Sequence, residues 1–126
     1  MQLRSLFIMT AILEAGTGLA LVLAASTPAA ILVGAPLDTY GGLIVARIAG
    51  AAIFSLGVAC WFARDDGQSD AAIGLVSAML VYNIAVVAVL VYAGMGLGLS
   101  KSGLWPAGLL HTVLAIWCIV CLQSRP

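Results

Sequence analysis

Charge is what this chain has least of: five Lys and Arg, five Asp and Glu and one His among 126 residues, which makes 8% charged and a formal net charge of zero. A soluble domain carries about 25% charged residues, so a water-facing exterior cannot be assembled from this composition. No basic run and no interleaving of basic with aromatic residues occurs, which excludes the electrostatic footprint of a nucleic-acid binder. Linkers, low-complexity tracts and internal repeats are also missing, and the chain reads as one domain over residues 1–126. Catalytic signatures are absent too: no nucleophile elbow, no H-E-x-x-H, no P-loop and no glycine-rich dinucleotide fingerprint. The stretch "GMGLGLSKSG" has glycines like those of a phosphate loop but not its G-K-[ST] ending. With a single histidine, a b-type haem would need an axial ligand from a partner chain. Three cysteines without His or carboxylate at matching depth do not make a zinc site.

What is present is hydrophobic: 63% of residues, with a mean hydropathy of +1.19. Four segments reach the roughly 20 apolar residues that a hydrocarbon core of about 30 Å requires: Leu3–Ala25, Tyr40–Ala63, Ala71–Leu97 and Leu104–Leu122. Between the first two, "STPAAILVGAPLDT" opens on Ser26 or Thr27 before Pro28 and is stopped by "GAP", the pattern of a short interfacial helix. "RDDGQSD" is a tight polar loop in which Ser69 or Asp70 caps the third span. "GLGLSKSG" is a glycine-rich turn before "LWP", where Pro106 suits the first turn of the last span. The expected fold is all-α, an integral membrane four-helix antiparallel bundle with a short interfacial helix between spans one and two.

Arg4, an apolar run and "LAAST" also resemble a cleavable leader. Glu14 argues against that reading, because an acidic residue at a helix centre costs about 2.5–3.5 kcal/mol on the insertion scale. Arg4, Arg64 and Arg125 fall on one side of the bundle and Lys101 on the other, which places both termini in the cytoplasm. Trp61 and Trp105, near opposite ends of their helices, read as interfacial anchors.

The polar residues inside the spans can be placed by depth. Glu14, Arg47, Asn83 and His111 come one from each span, and their levels agree within roughly two helical turns. Intramembrane ionisable residues almost always face a bundle interior or a watery cavity. The expectation is therefore that Arg47 turns inward and pairs with Glu14, with Asn83 and His111 completing the hydrogen-bond shell. Small and polar residues flank three of them: Thr10, Ala11, Thr17 and Gly18 beside Glu14; Ala46 and Gly50 beside Arg47; Ala107, Gly108, Ala115 and Cys118 along the stripe of His111. Three roles stay open for this cluster. It is a structural device that fixes helix register, a pocket whose Arg47 binds a carboxylate, phosphate or quinone oxygen, or a proton or ion path through Glu14 and His111.

Cys118 and Cys121 form C-I-V-C at the end of the last span, with Cys60 at the same end of the second. A helical C-x-x-C also occurs in membrane thiol oxidoreductases of the vitamin K epoxide reductase type, but the loop cysteines of that type have no counterpart here. A redox role for Cys118 and Cys121 is thus the lesser reading, and buried small hydrophobes the greater.

The acidic residue of span one, the "TPAAILVGAPLD" connection, "ARIAGAAIFSLGVACWFAR" with its R-x-x-G-x-x-x-x-x-x-G spacing at Arg47, Gly50 and Gly57, and the histidine of span four resemble the DoxX-like group of small four-helix bacterial membrane proteins, including its uncharacterised members. That resemblance implies a bundle in the bacterial cytoplasmic membrane. Some members of the group are linked to quinone-dependent sulfur oxidation, and no catalytic motif is carried over residue by residue. Two function classes follow. One is a non-enzymatic module that binds a small lipophilic ligand or another membrane protein, itself included. The other is a quinone-interacting oxidoreductase subunit using Arg47 and His111, with no covalent cofactor and with quinone or lipid as the bound molecule. Transport by an oligomer is a third, weaker class, since repeats and broken helices are not evident.

Overall fold

The computed structural model describes residues 2–67, 69–99 and 102–124. Five α-helices follow one another: α1 Gln2–Ala24, α2 Ser26–Val33, α3 Tyr40–Ala63, α4 Asp70–Val91 and α5 Leu104–Gln123, with a π-helical turn over Tyr92–Gly96 closing α4. No strand occurs among the described residues. Four of the helices, α1, α3, α4 with its π turn, and α5, are long and apolar enough to cross a membrane. Their outward faces carry Leu23, Ile48, Phe62, Val81 and Leu109, all well exposed. A helix apolar all round is one that water does not surround.

Local chemistry explains the boundaries. Thr39 accepts from the Gly42 amide at 3.1 Å and starts α3. Ser69 accepts from the Ala72 amide at 3.1 Å and starts α4, while its own hydroxyl donates to Asp66 at 2.6 Å. Gly34, at φ 82°, ends α2 in the left-handed conformation that glycine adopts without strain. The start of α2 differs from expectation: neither Ser26 nor Thr27 caps it. Ala25 keeps helical dihedrals and Ser26 is already the first helical residue, its hydroxyl donating to the Leu37 carbonyl at 3.3 Å. The third span also differs, being α-helical only to Val91. Gly94, Gly96 and Gly98 hold the helix weakly, and the backbone widens so that the Leu97 amide reaches the Tyr92 carbonyl at 3.2 Å.

Packing divides the helices into two close pairs, α1 with α3 and α4 with α5. Glycine sets the first. A Cβ at Gly57 would lie 2.6 Å from the Ala15 backbone nitrogen, one at Gly50 2.7 Å from the Leu21 Cβ, and one at Gly18 would overlap the Phe54 backbone. The two backbones therefore touch, and the contacts run in opposite chain order along the two helices. Leu6, Phe7, Ala11, Cys60, Val76, Met79, Leu114 and Cys118 fill one core between the pairs, at the end where the chain begins. At that end Arg4 pairs with Asp65 at 3.0 Å, and Arg64 stacks over Trp61 at 4.3 Å from the ring centre. Lys101 and Arg125, half of the expected orientation signal, lie outside the described residues.

Candidate ligand site

Glu14 is 3% exposed on α1, enclosed by the core. Its hydrogen-bond partner is Tyr82 on α4, whose hydroxyl donates to the carboxylate Oε2 at 3.2 Å. Tyr82 in turn meets the His111 ring edge-on, the centroids 5.7 Å apart. His111 on α5 bonds through Nδ1 to the Asn83 Oδ1 at 2.7 Å, and the Asn83 Nδ2 donates to the Met79 carbonyl at 2.7 Å. Asn83 is fully buried. Three helices thus contribute to one polar network at mid-span, Glu14, Tyr82, His111 and Asn83, inside an interior whose other buried polar side chain among the described residues is Thr10.

The network fixes its own hydrogens. Turning the Asn83 amide over would set its oxygen against the Met79 carbonyl oxygen, two acceptors at hydrogen-bond distance, so Oδ1 faces His111. His111 therefore carries hydrogen on Nδ1 and presents Nε2 as its second ring nitrogen. Among the described residues neither Nε2 nor the second Glu14 oxygen has a protein partner, yet no buried side-chain nitrogen or oxygen is left unsatisfied. Both atoms are therefore not fully enclosed. One carboxylate oxygen and one imidazole nitrogen, on helices from opposite pairs, are available to a molecule from outside the network.

Arg47 is not part of it. The residue is exposed on α3, and the ion pairs among the described residues join Arg4 and Arg64 to Asp65, not Arg47 to Glu14. The expected Glu14–Arg47 pair is therefore corrected. Gly50 and Gly57 must face α1 for the backbones to touch, and with Leu43, Ala46, Ile53 and Cys60 they define the inner stripe. At 100° per residue Arg47 falls to the side of that stripe, in line with Tyr40, Phe54 and Trp61. Tyr82, which the sequence reading passed over, occupies the place expected of Arg47.

Beside the network lies a cleft of about 710 Å³, bounded by α1, α2, the start of α3 and the start of α5. Its volume falls in the range of small-molecule sites, roughly 300–1,000 Å³. Thr17 and Thr27 are its polar side chains; Ala20, Leu21, Leu32, Leu37, Ala46 and Ala107 are among the apolar ones. Thr17 is one turn after Glu14 and Ala107 one turn before His111, so the cleft lies about a helical turn from the network, whose own residues do not line it. The short α2 closes its far side. A Cβ at Gly103 would come within 2.6 Å of the Ile31 carbonyl oxygen, so α2 leans directly on the start of α5.

Among the described residues the cysteines share no hydrogen bond with the network and do not line the cleft, although Cys60 lies near Glu14. Cys60 and Cys118 are fully buried in the apolar core, Cys121 is half-buried, and all three are free thiols. Among the described residues no three His, Cys, Asp or Glu side chains gather as metal ligands. No family model matches the chain, and comparison with the curated proteins and with the solved structures found no match.

Proposed function

We propose that this protein is a small integral membrane module, an antiparallel four-helix bundle of the bacterial cytoplasmic membrane with both termini inside, that binds a lipophilic molecule carrying an uncharged polar head. The tail lies in the cleft under α2, and the head meets the Glu14 carboxyl and the His111 Nε2. The observation that carries the reading is a pair of polar acceptors without a partner among the described residues, each one helical turn from the lining of an apolar cleft. A head that bears a hydroxyl suits them, because the free Glu14 oxygen and the His111 Nε2 both accept, Tyr82 and Asn83 already orient both groups, and no cation among the described residues joins the network. An interaction made by pre-oriented groups loses little to ordering.

The test is purification of the full chain in mild detergent, followed by native mass spectrometry and extraction of retained lipids. Wild type is expected to hold one lipophilic molecule that a His111→Leu, Glu14→Gln double variant loses while keeping its helicity. Equal retention by the folded double variant refutes the reading.

A further inference from the structure

Arg47 poses a separate question, because it lies within a span and outside the network. Along the flank of α3 beside α1, Tyr40, Arg47, Phe54 and Trp61 recur at intervals of seven residues and form one stripe, the Phe54 backbone lying against Gly18 and Phe54 and Trp61 sharing a groove with Ala11 and Ala15. Tyr40 is 88% exposed and Trp61 45%. The 21 residues between these two rings span about 32 Å, close to the roughly 30 Å of a hydrocarbon core. Aromatic residues at both ends of an apolar stripe of that length are the mark of a face that meets lipid at both boundaries. Ile44, Val45 and Ile48 around Arg47 are exposed and apolar, as such a face requires.

On that stripe Arg47 is seven residues from Tyr40, about 10 Å inward of the ring at the α2 end. A long cationic side chain at such a depth buries its stem and turns its head toward the interface. The head still needs an anion, and no acid among the described residues pairs with it. Glu14 is almost wholly buried, and the ion pairs among the described residues do not join it to Arg47. Asp65, Asp66 and Asp70 lie at the opposite end of α3, and Asp38 precedes the span altogether. A second copy laid against the same face would bring another Arg47 and no acid at its level.

We propose that Arg47 binds the phosphate of a phospholipid in the leaflet at the α2 end of the bundle, reaching along its own stripe toward Tyr40. The planar guanidinium matches phosphate oxygens two at a time, and the apolar residues around it contact the acyl chains. This site is independent of the cleft, and either can exist without the other.

The test uses full-length wild type, Arg47→Lys and Arg47→Gln, reconstituted separately in bilayers of phosphatidylglycerol, of phosphatidylcholine and of the phosphate-free lipid digalactosyl diglyceride, then released for native mass spectrometry. Wild type and Arg47→Lys should carry either phospholipid through release, Arg47→Gln severalfold less, and all three should carry the galactolipid equally poorly. Millimolar inorganic phosphate should leave the bound phospholipid in place. Retention of galactolipid by wild type as firmly as phospholipid overturns the proposal, and this comparison needs no variant to fold. Equal phospholipid retention by folded Arg47→Gln, displacement by inorganic phosphate, or a membrane-protein partner whose acid is cross-linked at Arg47 in place of lipid would overturn it as well.

Discussion

Removing the amide of Asn83 probes the network at its most enclosed point. Asn83→Leu keeps the branching and the number of side-chain heavy atoms but not the volume, so beside some overpacking the His111 Nδ1 loses the acceptor it meets at 2.7 Å. Leaving a buried donor unpaired costs about 1–3 kcal/mol. Part of that is the worth of the bond and part the penalty on the abandoned imidazole, and a double-mutant cycle with His111→Leu separates them. Interhelical side-chain hydrogen bonds within membranes average about 0.6 kcal/mol, with a maximum near 1.7. This one belongs near the maximum, because the Met79 carbonyl already holds the Asn83 amide in place and little freedom remains to be lost. We expect a coupling of about 1.5 kcal/mol. Reversible unfolding of the four proteins from mixed micelles, followed by far-ultraviolet circular dichroism, measures it. Additivity of the two single changes within about 0.5 kcal/mol would mean that the pair does not join α4 to α5, and the reasoning would fall.

Other consequences follow from the same packing. Tyr82→Phe removes the only hydroxyl on the Glu14 carboxyl among the described residues and should destabilise the fold by about 1–3 kcal/mol in the same unfolding assay; Glu14→Gln in that background should restore part of it. Gly57→Val must push α1 off α3, since its first added carbon already meets the Ala15 nitrogen; a loss of about 1–3 kcal/mol or more is expected, whereas Gly74→Ala, with open space around its Cα, should leave the unfolding midpoint unchanged or raise it. Ser69→Ala removes the cap of α4 and should cost about 1 kcal/mol. Arg4→Ala breaks an ion pair whose partners are both well exposed and should change stability by less than about 1 kcal/mol, with no difference left at high salt.

How far the sequence could be read depended on which physical quantity each feature needed. Helix length and apolarity follow from composition alone, and the span read as Tyr40–Ala63 is α3 itself. Depth was legible as well, because rise per residue is constant, and it led to Glu14, Asn83 and His111. Azimuth was not legible for Arg47. The expectation used its level in the membrane and its neighbour Gly50, but the face is decided by Gly50 and Gly57 together, which turn their own stripe onto α1 and carry Arg47 to the side. Tyr82 had a signal that went unused: a phenol far from both interfaces must find a partner for its hydroxyl, and Glu14 was the carboxylate at its level. The π turn had one too, in three glycines spaced over Gly94–Gly98, but glycine content weakens a helix without saying how the backbone rearranges. The short α2 was expected from Pro28 and "GAP"; that it closes a cleft required the contact with Gly103, which no spacing encodes.

The central claim is that the cleft holds the tail of a molecule whose head meets the network, and filling the cleft while sparing the network tests it most directly. Ala107 lines the cleft without bonding to any member of the network, so Ala107→Phe blocks the space and leaves the Asn83–His111 and Tyr82–Glu14 bonds intact. The measurement is the number of lipophilic molecules retained per chain by purified wild type and by Ala107→Phe, both checked for unchanged helicity. One molecule on wild type and none on the variant is the predicted result. Equal retention by the two, or no retained molecule on wild type, would contradict the account and leave Glu14, Tyr82, His111 and Asn83 as a device that holds the helices together.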